Sequence, residues 1–239
     1  MKCGTTALWH NCNQHPDIVM GKNPEDPKLT STEIRFWNNG GPYHTFKKGI
    51  KWYRSLFTGK LCGEKCANYI ESPTAMLRMH GYMPTCKLIV CVRNPVDRIL
   101  SEFWMHNFDH AKIAKFPKFS RGTGPRVRGC YMDQIYTGLW RTGWNPAQVY
   151  VLIQERMKNN IIVEMNKLFK WLGLTEYSPK LIELSFKERT KSINGFRSWH
   201  TTHGCDMSST TRAELTSYYN PHNLRLREFL KDDILEWEC

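Results

Sequence analysis

KLIVCVRNPVDRILSEFWMH, residues Lys87 to His106, decides the fold. Lys87–Val92 is a short apolar run rich in β-branched residues, which predicts a buried strand of a parallel sheet. Arg93-Asn94-Pro95 breaks it. Asn94 can cap a helix, and Pro95 suits the first helical position. Beyond Val96 the apolar residues fall at Ile99, Leu100, Phe103 and Trp104, which is helical spacing. The stretch therefore reads as strand, tight turn, helix. A helix N-terminus carries free N–H groups and the positive end of a dipole, and so favours an anion. Arg93 stands at its mouth, with Asp97 and Ser101 following at steps of four on roughly one helix face. An arginine fork with a hydroxyl suits a phosphate, although the same shape also occurs as an ordinary βα unit with a surface arginine.

The chain around it has 239 residues and 41% hydrophobic content, enough for one globular domain with a sizeable core. No run of about 18 apolar residues is present, and no signal peptide is visible. Lysines and arginines number 34 against 22 acids, a net charge of +12, which points to an anionic partner. Nine cysteines are scattered, and an odd count leaves at least one thiol unpaired in a monomer. Cys62 and Cys66 form the one close pair with metal-ligand spacing, but no matching second pair follows, so no metal is expected. The absence of any Asn-x-Ser/Thr acceptor counts weakly against a lumenal life.

A second anion loop opens the chain. Lys2-Cys3-Gly4-Thr5-Thr6 supplies a cation, a glycine for a tight turn and two hydroxyls. A helix follows through Leu8, Trp9 and Cys12 until His15-Pro16. Such a start makes a phosphate cradle, yet it is not a Walker A loop, which needs Gly, four residues, then Gly-Lys-Ser/Thr. A loop of this kind normally hangs from a strand, and no strand precedes it here. The expectation is a single domain over 1–239, N-terminally truncated and short of its first strand. An unpaired inner sheet edge would leave it poorly soluble or weakly active.

Taken together, KCGTT opening a helix and Arg-Asn-Pro-x-x-Arg-x-x-Ser after an apolar strand resemble the sulfotransferases that use 3′-phosphoadenosine 5′-phosphosulfate (PAPS). Other segments resemble the carbohydrate branch that sulfates heparan or chondroitin-type chains. Glu33-Ile34-Arg35-Phe36-Trp37 is similar to its Glu-x-His-Phe-Phe segment, and Glu64-Lys65-Cys66-Ala67-Asn68-Tyr69 to its Glu-Lys-Thr-Pro-x-Tyr segment. Gly129-Cys130-Tyr131, and Tyr219-Asn220-Pro221 with Trp237, are similar to two more. The resemblance implies that Lys2, Cys3, Gly4, Thr5 and Thr6 hold the 5′-phosphosulfate, that Arg93 and Ser101 hold the 3′-phosphate, and that Tyr131 lines the nucleotide site. It implies Glu33 as general base, with Lys2 and Lys65 neutralising charge on the sulfuryl group. The family's adenosine loop carries a Lys-Gly-Arg triplet and often a disulfide. This chain has no such triplet and only Cys205 there, with Lys191 and Arg197 as candidate substitutes. The family histidine two residues after the glutamate is Arg35. The resemblance also implies the Golgi lumen if an upstream anchor exists, and the cytosol otherwise.

Glu64 and Lys65 are adjacent, so on a strand they cannot both point into one site, and Lys65 is expected to face the sulfuryl group. Further along, Ser72-Pro73 starts a helix that ends at Gly81. Asn107–Arg128, with six lysines and arginines and several Gly and Pro, reads as a mobile basic loop over a cleft, suited to an anionic polysaccharide. Tyr131–Trp140 reads as a helix, Gln148–Gln154 as a strand, Ile161–Leu172 as a helix closed by Gly173, and Arg212–Leu230 as the last helix.

The expected fold is α/β, a central parallel sheet with helices on both faces and the ligand at the carboxyl ends of the strands. The expected reaction is in-line sulfuryl transfer from PAPS to a hydroxyl or amine of an anionic carbohydrate, without a metal and without nucleic acid. Two other readings fit less of the chain. A P-loop nucleotide kinase needs a Walker A lysine with a magnesium-binding group at the right spacing. A non-catalytic nucleic-acid-binding module would carry a recognition signature, and none is present.

Overall fold

The structure, a computed structural model, describes residues 1–24, 33–38, 45–59, 61–106, 110–176 and 207–237. Helices α1 (Thr5–Cys12), α2 (Gly49–Ser55), α3 (Pro73–Tyr82), α4 (Pro95–His106), α5 (Phe116–Ser120), α6 (Thr123–Val127), α7 (Tyr131–Gly138), α8 (Gln154–Asn159), α9 (Ile161–Leu172) and α10 (Ser209–Leu230) surround four strands. These are β1 (Ile18–Met20), β2 (Leu61–Gly63), β3 (Leu88–Val92) and β4 (Val149–Ile153).

Among the described residues all pairing is parallel. The β3–β4 register runs from Leu88 opposite Val149 to Val92 opposite Ile153. The β1–β2 register runs from Ile18 opposite Leu61 to Met20 opposite Gly63 and is continued by a parallel bridge between Glu33 and Lys65. The expected α/β class with parallel strands is what the chain forms. Among the described residues the strands make two pairs. A cavity of about 850 Å³ lies between β2 and β3, lined by residues of both.

Alternation along β3 and β4 defines the two faces of that pair. Leu88, Val90, Val92, Val149, Val151 and Ile153 belong to a core with Tyr53 of α2, Met76 and Met79 of α3, and Ile135 of α7. Ile89, Tyr150 and Leu152 belong to a second core with Leu8 and Cys12 of α1 and Met165, Leu168 and Phe169 of α9. Cys91 touches both. A third cluster packs α4 against α5 and α10 through Ile99, Phe103, Phe116, Leu215 and Tyr219.

Local signals explain the helix ends. Ser72 accepts a hydrogen bond from the Ala75 amide at 3.2 Å and Pro73 takes the first turn of α3. Asn94 accepts from the Val96 amide at 3.0 Å at the start of α4. Asn160 caps α9, and Gly173, at φ 84°, closes it.

The 107–128 segment departs from its expected loop character. From His110 it folds into a 3₁₀ turn followed by α5 and α6, with Phe116 and Ser120 buried. The Phe116 ring sits 5.3 Å from that of Phe103 in α4. Its arginines are also engaged. Arg126 pairs with Glu214 of α10 at 2.6 Å, and Arg121 with the same carboxylate at 2.9 Å. Arg98, fully buried in α4, pairs with Glu102 at 2.7 Å and donates to the Pro125 carbonyl. Glu102 in turn meets Arg128, which also holds Glu71 at 3.1 Å. A buried charge needs a partner, and this chain of ion pairs supplies one while fastening the segment to α4.

Candidate active site

The first anion loop is a turn in two left-handed residues. Lys2 has φ 65° and Gly4 φ 79°, after which α1 begins with no side chain capping its first amides. A helix N-terminus of this kind favours an anion. Gly4 is required on two grounds. Its φ suits glycine, and a Cβ there would lie 3.0 Å from Cγ of Gln154 in α8. Leu8, Trp9 and Cys12 anchor the helix behind the loop.

The second loop, at the end of β3, comes against the first. Arg93 donates from Nη1 to the Lys2 carbonyl at 3.5 Å. Tyr131, buried at the start of α7, donates its hydroxyl to the Arg93 carbonyl at 2.7 Å and accepts from the Arg93 amide at 3.3 Å. The same oxygen lies 3.6 Å from Sγ of buried Cys3. The Asn94 amide donates to Glu155 of α8 at 2.9 Å, and that carboxylate also accepts from the Trp237 indole at 3.0 Å. Tyr131 and Cys3 thus serve to hold the loops together. Ser101 is buried on α4, two turns along the helix that Arg93 precedes.

Lys65 joins the loop to the β1–β2 pair. Its ammonium donates to Thr6 Oγ1 at 3.0 Å and lies 3.4 Å from Glu33 Oε1. Arg35, at φ 57°, turns back so that Nε donates to Glu33 Oε2 at 3.2 Å, and the Ala67 amide donates to Oε1 at 3.3 Å. Glu64, one residue before Lys65, points the other way and accepts from Tyr53 at 2.7 Å and Tyr69 at 3.2 Å. Strand alternation sets this division: Lys65 faces the α1 loop and Glu64 the aromatic core.

The electrostatics are those of an anion site. Burial pushes the Lys2 ammonium below its ordinary value, and the neighbouring Arg93 guanidinium pushes it further. Lys65 is likewise lowered by burial, with Glu33 pulling it back up. An incoming anion would relieve both.

The structure thus brings Lys2, Cys3, Gly4, Thr6, Lys65, Glu33, Arg93 and Tyr131 into one connected set, with Thr5 opening α1 beside them. Lys191 and Arg197 lie outside the described residues. Sequence reasoning passed over Gln154 and Glu155 at the end of β4. Their only signal was their place just after a buried parallel strand, where α/β proteins collect ligand-facing groups. Among the described residues, Cys130, Asp133 and His222 have potential ligand atoms within 4.8 Å of one another. Arg225 already supplies positive charge there, 2.7 Å from Asp133 and 2.9 Å from His222 Nδ1, so the cluster is satisfied as an ion-pair group.

Comparison with known proteins agrees with this geometry. The sequence profile described as "Sulfotransferase domain" matches residues 1–222. The human bifunctional heparan sulfate N-deacetylase/N-sulfotransferase 3 is 29% identical over 264 aligned residues, covering 96% of this chain and 29% of that protein. The human N-deacetylase/N-sulfotransferase 1 is 26% identical, covering 96% of the chain and 28% of the relative. The chain therefore spans less than a third of the length of these curated relatives. The crystal structure of a sulfotransferase from Alicyclobacillus acidocaldarius superposes with a TM-score of 0.69 at 22% identity, covering 100% of this chain and 95% of the other, and so shares the fold. With the family profile covering nearly all of it, the chain belongs to the sulfotransferase domain family.

Proposed function

We propose that this domain transfers a sulfuryl group from PAPS to a hydroxyl or amine of an anionic, glycosaminoglycan-type carbohydrate. The observation that carries this reading is the position of Lys65, within reach of both Thr6 in the anion loop and Glu33 across the bridge. A cation shared by a phosphate-type cradle and a carboxylate is what a charge-building transfer requires: one group to steady the leaving oxygens, one to take the proton. The names of the relatives, which describe heparan sulfate N-sulfotransferases, support the choice of acceptor. A net charge of +12 suits a polyanionic acceptor.

The residues present fit the donor. The α1 N-terminus and the Lys2–Thr6 turn would hold the 5′-phosphosulfate, and Arg93 with Ser101 the 3′-phosphate; Lys191 and Arg197 are proposed for the adenosine side. PAPS supplies an activated sulfuryl group with a good leaving phosphate. This chain's own part is to orient it, to neutralise charge with Lys2 and Lys65, and to accept the acceptor's proton on Glu33. Arg35, Lys65 and the Ala67 amide fix the Glu33 carboxylate, so it is aimed rather than loose. No step calls for a metal. No helix of the described residues is long and apolar enough to cross a membrane. The compartment that accompanies this reading is the Golgi lumen.

The test is transfer of labelled sulfate from PAPS to heparan sulfate bearing free amino groups, to chondroitin and to a neutral glycan, together with the melting temperature in adenosine 3′,5′-bisphosphate. Transfer to an anionic glycan is expected. A ligand at 100 times its dissociation constant should add about 2.7 kcal/mol of stability. No transfer to any glycan and no thermal shift at millimolar nucleotide would refute the reading.

A further inference from the structure

The register of β3 on β4 decides which residues meet beyond their carboxyl ends. Val92 stands opposite Ile153, so the chain leaves both strands at the same level. Arg93-Asn94 and Gln154-Glu155 therefore emerge side by side. The peptide group between Arg93 and Asn94 is held from two directions. Its carbonyl accepts the Tyr131 hydroxyl at 2.7 Å, and its N–H donates to Glu155 Oε1 at 2.9 Å. A peptide group is planar, so fastening it at both ends fixes the backbone rotation that follows the Arg93 Cα. Asn94 is fixed on its far side too. Its carbonyl accepts from the Arg98 amide at 2.8 Å and its side chain from the Val96 amide at 3.0 Å.

One residue touches both of the groups that hold this peptide. Trp237 donates its indole N–H to Glu155 Oε2 at 3.0 Å, and its ring centroid lies 6.0 Å from that of Tyr131. It is buried in the core that also contains Tyr131 and Val92. A buried indole N–H calls for an acceptor, and a carboxylate is a strong one.

The segment that carries Trp237 is itself tied down. Lys231, at φ 52°, closes α10, and the backbone turns again at fully buried Ile234, at φ 47°. A β-branched residue at positive φ is strained and persists only where its surroundings over-determine it. Here Arg156 of α8 holds Asp232 at 2.5 and 2.7 Å and Glu236 at 2.7 and 3.1 Å, gripping the chain on both sides of Ile234. The Ile234 amide donates to the same Asp232 at 2.9 Å. Arg156 follows Glu155 directly, so the first turn of α8 and the 232–237 segment are bound to each other next to the Arg93 loop.

We propose that Trp237 and Glu155 are positioning residues for the nucleotide: they set the Arg93–Asn94 peptide so that the Arg93 guanidinium is presented to a 3′-phosphate. This rests on the reading that Arg93 holds the 3′-phosphate of the donor. Both residues act through Arg93 rather than on the ligand. Position 155 needs a carboxylate, because it accepts on both oxygens, whereas a glutamine amide offers one acceptor and one donor. Without the indole N–H, Glu155 loses the contact that orients it and the peptide loses one of its two restraints.

The experiment measures, on the full chain by titration calorimetry, the affinities for adenosine 3′,5′-bisphosphate and adenosine 5′-monophosphate, which differ only in the 3′-phosphate. Trp237→Phe keeps a ring against Tyr131 and removes the N–H. Glu155→Gln keeps the shape and removes one acceptor. Each is expected to weaken the bisphosphate by roughly 10-fold and the monophosphate by less than about 2-fold. In an Arg93→Ala background Trp237→Phe should have no further effect on either ligand, since the group it positions is gone. A ratio of affinities that stays at the wild-type value, whether both ligands weaken together or neither does, would overturn the proposal and leave Trp237 a packing residue. So would a full effect of Trp237→Phe in the Arg93→Ala background. A wild-type chain that binds both ligands equally would instead refute the 3′-phosphate reading of Arg93, and the proposal would fall with it. If Trp237→Phe does not fold, Glu155→Gln, which removes no apolar contact, decides by the same ratio.

Discussion

Replacing Glu64 by glutamine should change how stability depends on pH, and the structure sets the sign and size. Glu64 is half-buried and lines the cavity between β2 and β3. Burial raises its carboxyl from 4.5 to about 7, against the two tyrosine hydroxyls that hydrogen-bond to it and favour the ionised form. The unfolded chain thus releases this proton near pH 4.5 and the folded chain only near pH 7. Between those values the folded state holds more protons, so stability falls as pH rises from 4.5 to 7 and is level above. The full difference is roughly 3 kcal/mol at about 1.36 kcal/mol per unit, less whatever water in the cavity contributes to solvating the charge. For a chain of this size that corresponds to a melting-temperature loss of up to about 6–12 °C. The glutamine of Glu64→Gln keeps an acceptor for Tyr53 but cannot ionise. Melting curves of wild type and variant from about pH 4.5 to 8 should therefore diverge, with the variant gaining on the wild type as pH rises. Taking the difference between the two proteins removes every contribution they share. A gap between the two proteins that stays constant across that range would refute the reasoning.

Three further outcomes are expected at the site. Glu33→Gln should lower turnover by roughly 10²–10⁴ while leaving affinity for adenosine 3′,5′-bisphosphate almost unchanged, as read by transfer kinetics and calorimetry; near-normal turnover would exclude Glu33 as base. Arg93→Ala should weaken nucleotide binding more than Ser101→Ala, because a charged fork contributes more than one hydroxyl, and titration calorimetry ranks the two directly. Gly4→Ala should cost about 1 kcal/mol or more in chemical denaturation and should also depress nucleotide affinity, since the left-handed turn disfavours a side chain and Gln154 stands in its way.

What could be read in the sequence was what neighbouring residues decide. The β3–α4 unit was legible because an apolar run, a capping asparagine and a proline at the first helical position all agree. The opposite aim of Glu64 and Lys65 followed from strand alternation alone. The 107–128 segment was misread because its lysines, arginines and glycines have loop composition. Its short helices are held by the Phe103–Phe116 contact and by carboxylates at Glu102 and Glu214, partners distant in sequence. Distance in sequence also hid the role of Tyr131. Its resemblance to a family segment suggested a place near the nucleotide, whereas only the folded chain shows its hydroxyl spanning Arg93 and Cys3.

That hydroxyl makes the two anion loops one mechanical part. Arg93 cannot shift its backbone without moving Tyr131, and Tyr131 cannot move without disturbing the floor under Cys3. A ligand carrying negative charge at both ends would meet a single clamp with two jaws on a shared hinge pin. Its grip at one end would already have set the other, so the two charges would bind with more than the sum of their separate affinities.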